Sequence, residues 1–280
     1  MKWLVLALLA LCAGCGSKPV VSTPTPQAQS RLAEAEARAA VLVRSGDLTA
    51  AAGQYDEALR IAASVENADA VAANALNLSV IYQWLGRDAE ARAALSHILD
   101  DPRRVFSERR RLQAELRRAI VELALHNVDA AGTWAERAAR RCPDLACDYA
   151  ATILNVQAQV ALESSRPADA TRLAQSAAER ARARSDRVET ANALRTSGRA
   201  QRTQGNPAGA VKVLEQALAI DRELADPRKI LADLTELSLA SSAAGDRQAA
   251  RDYYERALSV SRAVQDARGI AEMEAQLKRP

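Results

Sequence analysis

The stretch Gly46–Leu59, GDLTAAAGQYDEAL, decides the fold, because it returns near the end of the chain as GDRQAARDYYERAL at residues 245–258. Both copies begin with a glycine, carry an alanine five residues later and end in Ala-Leu. The pattern also returns, less completely, at a nearly constant spacing between them. The first residues of the six copies are Gly46, Gly86, His126, Ser165, Gly205 and Gly245. Their steps of 40, 40, 39, 40 and 40 residues indicate one repeated structural unit.

A second feature keeps the same phase as the repeat. Nine residues after the alanine of each Ala-Leu pair, or its equivalent, the chain carries a residue suited to capping a helix N-terminus. These residues are Asn67, Ser107, Asp186, Asp226 and Asp266, whereas the fourth copy has Cys147. Their side-chain oxygens can accept hydrogen bonds from the unpaired N–H groups of a first helical turn. Each unit is therefore predicted to hold a helix A, for example over 69–85 and 187–204, and a helix B that ends before the next cap.

The composition agrees with an all-α protein and excludes several function classes. Aromatic residues make up 3% of the 280 residues, and there are only 11 glycines and 9 prolines, so a β-sandwich is not expected. A net charge of +3 is too balanced for binding a nucleic acid through its phosphates. The two histidines, His97 and His126, lie in no ligand cluster, and no glycine-rich phosphate loop occurs. We therefore expect no metal, no cofactor and no catalytic residues.

The series of small residue, alanine, tyrosine and Ala-Leu resembles the second helix of the tetratricopeptide repeat. Tyr82 and Gly198 match first-helix consensus places of that family. The 40-residue period is similar to its long-helix branch, as in kinesin light chains. The resemblance implies a helical-hairpin solenoid, a right-handed superhelix of about six repeats over residues 29–264, closed by a C-terminal capping helix over 265–280. It also implies that the A helices line a concave face that binds a protein or peptide.

The same resemblance assigns inward-facing positions on two A helices. They are Asn155 and Gln159 on the fourth, and Asn192, Arg195, Arg199 and Arg202 on the fifth. The three arginines share one helical face, and no acidic residue lies between Glu189 and Glu215. We therefore expect a groove for an acidic segment or a free C-terminus, because guanidinium groups bind carboxylates in pairs of hydrogen bonds. The alternative is a solvated arginine stripe. Trp84 is expected to pack, and only an exposed Trp84 would indicate a binding hot spot.

The N-terminus predicts export and lipid anchoring. Lys2 precedes an uncharged, largely apolar run over residues 3–14, which is typical of a secretory signal peptide. The small residues before Cys15 resemble the bacterial lipobox, which implies cleavage after residue 14 and acylation of Cys15. Residues 15–28 would then form a lipidated Pro/Ser/Thr-rich tether, and Gly16 favours the periplasmic side of the outer membrane. The alternative is an ordinary cleaved signal peptide with a chance cysteine.

Two further cysteines, Cys142 and Cys147, are left in the exported part of the chain. A pair of cysteines in an oxidising compartment is typical of a disulfide. Free thiols are an alternative, and a zinc site would require two more ligands that are not nearby.

These features predict a non-enzymatic scaffold or adaptor on the outer membrane, whose partner is a protein or peptide rather than a nucleic acid or small molecule. One alternative is a pilotin-like assembly factor for a pilus, secretion or outer-membrane complex. Another is an enzyme or ligand-binding protein that acts on the cell wall, which would need a deep pocket with converging carboxylates. A third is a structural spacer without a distinctive surface.

Overall fold

The computed structural model describes residues 27–143 and 146–278, and every regular element in these two ranges is an α-helix. The helices are α1 (Gln27–Ser45), α2 (Leu48–Ser64), α3 (Ala68–Trp84), α4 (Asp88–Leu99), α5 (Glu108–Ala124), α6 (Val128–Arg140), α7 (Ala150–Glu163), α8 (Pro167–Ala183), α9 (Arg187–Thr203), α10 (Pro207–Glu223), α11 (Pro227–Ala243), α12 (Arg247–Ala263) and α13 (Ala267–Leu277). Each odd-numbered helix from α1 to α11 packs against the even-numbered helix that follows it, and α13 packs against α12. Six hairpins and a final helix result, so the predicted all-α hairpin solenoid is confirmed.

The first residue of every repeat copy lies in the tight turn inside a hairpin. All six have a positive φ, which is 84° at Gly46, 79° at Gly205, 60° at His126 and 58° at Ser165. A left-handed residue after the last helical turn lets the backbone N–H groups bond back to the free carbonyls of that turn. Glycine adopts this conformation without a steric penalty, which explains why four of the six positions carry it.

The five predicted cap residues all cap helices. At α13, for example, the backbone N–H of Gly269 donates to Oδ1 of Asp266 at 3.0 Å. The same bond is made by the side chains of Asn67, Ser107, Asp186 and Asp226 at the starts of α3, α5, α9 and α11. At the fourth hairpin, α7 has no side-chain cap, and a disulfide joins Cys142 to Cys147 just before it.

Small residues allow the helices to approach closely. The alanine that follows each turn by about five residues is buried in every hairpin, at positions 51, 91, 131, 170, 210 and 250. One close approach is at Gly198 of α9, where an added Cβ would lie 2.5 Å from Cγ of Leu214 on α10. Leu214 is fully buried, so this contact fixes the distance between the two helices.

The stack curves toward its odd-numbered helices. Helices α3, α5, α7 and α9 each contact the next odd-numbered helix, whereas no pair of even-numbered helices in the described ranges makes comparable contact. A stack bends toward the layer whose members are closer together. The odd-numbered helices, which are the predicted A helices, therefore line the concave face.

The two ends of the stack differ in how they compare with the sequence predictions. Helix α1 begins at Gln27, inside the segment predicted to be a tether, and Cys15 lies outside the described residues. At the other end α13 covers the last hairpin with Met273, which is 2% exposed. Within residues 27–143 and 146–278, no helix has both the length and the hydrophobicity that crossing a membrane requires.

Candidate binding groove

Two adjoining clefts on the concave face form one continuous groove, which we call the inner groove. The first cleft, of about 320 Å³, lies across α3 and α5 and reaches α7 and α9. The second, of about 230 Å³, lies across α7 and α9 and reaches α5. Ile120, Thr152 and Glu189 line both clefts, so they mark the junction. The floor is apolar and is formed by Leu76, Val80, Leu116, Ile120 and Val156.

Five of the six predicted groove residues line the second cleft. They are Asn155, Gln159, Asn192, Arg195 and Arg199. Arg202 does not line either cleft and instead donates from Nη2 to Oε2 of Glu236 on α11 at 3.3 Å. Helices α7 and α9 thus bring five of the predicted side chains together. Arg202, one turn further along α9, faces α11 instead.

The expectation that these arginines lack carboxylate partners is wrong. Arg199 donates from Nη2 to Oε1 of Glu163 at 3.0 Å, and its Nε lies 3.2 Å from Oε1 of Glu236. Arg195 forms ion pairs with Asp221 and Asp233. The neutralising carboxylates come from α7, α10 and α11, which are distant in sequence. The arginines therefore hold neighbouring hairpins together, and the groove does not present three free guanidinium groups.

Arg195 joins two carboxylates that are both completely buried. Its Nε donates to Oδ1 of Asp233 at 2.6 Å, and its Nη2 donates to Asp221. One guanidinium cannot neutralise two carboxylates. Burial raises the pKa of Asp233 to about 7, with Arg195 opposing the rise and Asp221 adding to it. A proton shared within this cluster removes part of the electrostatic cost.

Two buried oxygens that belong to groove-lining side chains have no hydrogen-bond partner. Asn155, which is 4% exposed, leaves Oδ1 unpaired, and Glu189 leaves Oε2 unpaired. The other carboxylate oxygen of Glu189 accepts from Nδ2 of Asn192 at 3.2 Å. Burial raises the pKa of Glu189, and Asp186 adds to the rise, while Asn192, Lys229 and Thr152 oppose it. Unpaired buried acceptors cost free energy that a bound donor would recover.

The α5 end of the groove carries a charge that does not belong to the six predicted groove residues. Arg117 donates from Nη2 to the backbone oxygen of Ser79 at 3.1 Å and from Nε to the Ser79 hydroxyl at 3.3 Å. It forms no ion pair with any described carboxylate, and burial lowers its pKa to about 10. Arg117 is therefore a cation of the groove that forms no ion pair within the described residues, although Asp88 opposes the fall in its pKa.

Tyr149 forms the wall of the groove beside Arg117. Its hydroxyl accepts hydrogen bonds from Nε2 of Gln113 at 2.6 Å and from Nε of Arg109 at 3.1 Å. Tyr149 follows Cys147 by two residues, so the disulfide restrains the segment that carries it. Among the described residues, no group of three His, Cys, Asp or Glu side chains is arranged to hold a metal ion.

The sequence predicts that Trp84 is a packing residue, but the structure does not bury it in the core. Trp84 is the last residue of α3, and it is 44% exposed. An exposed tryptophan at the end of an inner helix has the features of a binding hot spot.

Comparison with known proteins identifies the repeat. Two sequence profiles, each described as tetratricopeptide repeat, match residues 149–223 and 234–264. These ranges cover hairpins four and five and most of hairpin six. A search of curated protein sequences gave no match.

Solved structures share the fold over most of the chain. A Rap protein complexed with competence and sporulation factor is 14% identical, with a TM-score of 0.64 over 89% of this chain and 70% of that chain. Bacillus thuringiensis PlcR, in complex with the peptide PapR7 and DNA, is 11% identical, with a TM-score of 0.64 over 74% of each chain. BtubC from P. vanneervenii is 19% identical, with a TM-score of 0.51 over 87% of this chain and 94% of that chain. Residues 149–223 and 234–264 are therefore tetratricopeptide repeats, and the shared folds show that the stack as a whole is a helical-hairpin solenoid of the same kind.

Proposed function

We propose that this chain is a non-enzymatic scaffold that binds an extended segment of a protein partner in the inner groove. The observation that carries the proposal is the groove itself, with its apolar floor and the unpaired buried oxygens of Asn155 and Glu189. Backbone and side-chain N–H groups of an extended segment are the natural donors for such acceptors. Because the helices that form the groove are already packed, the cost of ordering falls mainly on the partner.

The fold comparison supports a peptide or protein ligand. Rap and PlcR, which share this fold, are described in complexes with competence and sporulation factor and with the peptide PapR7. Tetratricopeptide repeats are generally interaction modules rather than catalysts. Four carboxylates around the arginines of the second cleft, Glu163, Asp221, Asp233 and Glu236, are engaged in ion pairs, so the cleft itself does not present a pair of free carboxylates for acid–base chemistry.

The proposal includes a location on the periplasmic side of the outer membrane. Its support is the signal-peptide pattern and the lipobox-like residues before Cys15, and acylation would anchor the solenoid stably. In the native host, the Cys15→Ser variant should lose incorporation of labelled palmitate and leave the membrane fraction. Retention of both by the variant would contradict the anchor and leave the solenoid unaffected.

A site-specific photocrosslinking experiment tests the groove. A photoreactive amino acid at Asn77 or Gln159, both in the groove, should capture a discrete partner in intact cells. The same amino acid at Glu179, an exposed position on α8, is the matched control. Capture at Glu179 equal to that at Asn77 and Gln159 would contradict a groove-bound partner. Recovery of a secretin or a barrel-assembly component would identify the scaffold as an assembly factor.

A further inference from the structure

The charges that remain unneutralised in the inner groove differ from those that the sequence suggests. Arg195 and Arg199 each contact two carboxylates, so the arginines of α9 attract no additional anion. Asp221 and Asp233 are completely buried beside Arg195, so Arg195 carries no surplus positive charge into the groove.

Glu189 is the carboxylate that lies at the junction of the two clefts. It lines both of them and forms no ion pair with any described residue, and its Oε2 is buried without a partner. Its hydrogen-bond donors are neutral, namely the amide of Asn192 at 3.2 Å and the hydroxyl of Thr152, while Lys229 attracts it without forming an ion pair. A buried carboxylate is stabilised by an opposite charge far more than by one neutral amide. No described cation forms an ion pair with Glu189, so a cation of a bound ligand would stabilise this carboxylate.

The opposite charge in the groove lies at the other end. Arg117 lines the α3–α5 cleft, donates hydrogen bonds to Ser79 and forms no ion pair with a described carboxylate, although Asp88 attracts it at longer range. An extended ligand that crosses the junction meets a positive group near α5 and a negative group at α9. Electrostatic complementarity therefore selects both the composition and the direction of the ligand.

We infer that Glu189 is a specificity-determining residue that binds a cationic group, the side chain of a lysine or arginine or a free amino terminus, of a peptide segment lying in the inner groove. The inference rests on the proposed function and makes it more specific. A basic ligand replaces the acidic ligand expected from Arg195 and Arg199, because carboxylates of the protein already neutralise these two arginines. The basic group would lie at the junction, and the chain of the ligand would run toward Arg117.

Selection from a random heptapeptide library tests this inference. The full mature chain is used as bait, and the affinities of the selected peptides are measured by fluorescence anisotropy. We expect a lysine or arginine at a constant position, and we expect Glu189→Gln to weaken binding by at least about tenfold. Glu189→Lys should shift the preference to acidic peptides. Glu179→Gln, which removes an exposed carboxylate on the outer helix α8, is the matched control and should leave affinity unchanged.

A groove variant separates the possible failures. Asn77 is exposed and lines the α3–α5 cleft, so Asn77→Arg should obstruct the groove without disturbing the core. Two results would overturn the role of Glu189 and leave the proposed function intact. Peptides that bind the Asn77→Arg variant less tightly would lack a basic residue, or they would bind the Glu189→Gln variant as tightly as the wild type. If no selected peptide is weakened by Asn77→Arg, the proposed function fails, and the inference fails with it. Circular dichroism of each variant confirms that its helical content is unchanged.

Discussion

The guanidinium carbon of Arg228 lies 4.4 Å from the ring centroid of Trp84. Trp84 is the last residue of α3 in the second hairpin, and Arg228 belongs to the first turn of α11 in the sixth. The curvature of the stack thus brings two distant hairpins into contact. A cation over an aromatic face is attractive at this distance.

Removal of either partner should loosen the superhelix. Trp84→Ala and Arg228→Ala are expected to show a coupling of about 0.5–1 kcal/mol in the free energy of unfolding, as for an exposed cation–π pair. Urea unfolding of the two single variants and the double variant measures this coupling. Small-angle X-ray scattering should show a larger radius of gyration for Arg228→Ala, because the contact between the ends of the stack is lost.

A local cation–π pair provides the control. Arg256 lies over the ring of Tyr253 at 5.1 Å within α12. Arg256→Ala should leave the radius of gyration unchanged, because it breaks no contact between hairpins. Additive effects of the Trp84 and Arg228 substitutions would show that the two side chains do not interact in solution.

The packing of α9 on α10 depends on the absence of a side chain at Gly198. An alanine Cβ would lie 2.5 Å from Cγ and 2.8 Å from Cδ2 of the buried Leu214, so Gly198→Ala forces the helices apart. Overpacking of this kind costs about 1–3 kcal/mol. We expect the free energy of unfolding to fall by that amount in urea or thermal denaturation.

Gly53 in the interior of α2 is a matched control. An added Cβ there would contact no atom within 4 Å. Gly53→Ala should therefore raise the free energy of unfolding by about 0.5–1 kcal/mol through its higher helix propensity. Equal effects at Gly53 and Gly198 would contradict close packing at the second site.

The sequence predicts the fold well because the repeat has physical causes that can be read locally. A left-handed turn favours glycine, a helix start favours Asp, Asn or Ser, and a close helix contact favours alanine, so three independent signals recur with one period. His126 and Ser165 show the limit of this reading. They adopt the same backbone conformation as Gly46 and are recognised by their spacing rather than by their residue type.

The electrostatics of the groove are harder to predict, because they depend on contacts between repeats. Asp221 and Asp233 lie 26 and 38 residues after Arg195. A separation of 38 also joins Asn74 to Glu36 and Arg117 to Ser79, so it is the register of one inner helix against the next. A search for opposite charges at that separation would have found the Arg195–Asp233 pair. The burial of Glu189 leaves no such signal, because it depends on the curvature of the whole stack.

Asp233 predicts a specific dependence of stability on pH. Its pKa rises from 3.8 to about 7 on folding, so the folded chain binds more protons than the unfolded chain between these values. The contribution of Asp233 to stability is present below its unfolded pKa and is lost as the pH rises through about 7. Asp233→Asn keeps an oxygen for Nε of Arg195 and should flatten the fall in stability over this range.

The measurement is the free energy of unfolding of both proteins at several pH values. Asp252→Asn, which removes an exposed carboxylate on α12, is the control and should keep the wild-type slope. A steeper slope for Asp233→Asn than for the wild type would contradict the raised pKa.

The disulfide between Cys142 and Cys147 is expected to matter for the groove as well as for stability. Replacement of both cysteines by serine should lower the free energy of unfolding by about 2 kcal/mol, because a short closed loop restrains the unfolded chain only modestly. It should also make Tyr149 more mobile. The hydroxyl of Tyr149 accepts hydrogen bonds from Gln113 and Arg109, and these bonds hold the groove wall beside Arg117. Tyr149→Phe loses these two bonds but keeps the disulfide and the ring. If the serine variant weakens groove-bound peptides more than Tyr149→Phe does, the disulfide orders the whole wall. If only Tyr149→Phe weakens peptide binding, the restraint that the disulfide imposes does not reach the groove.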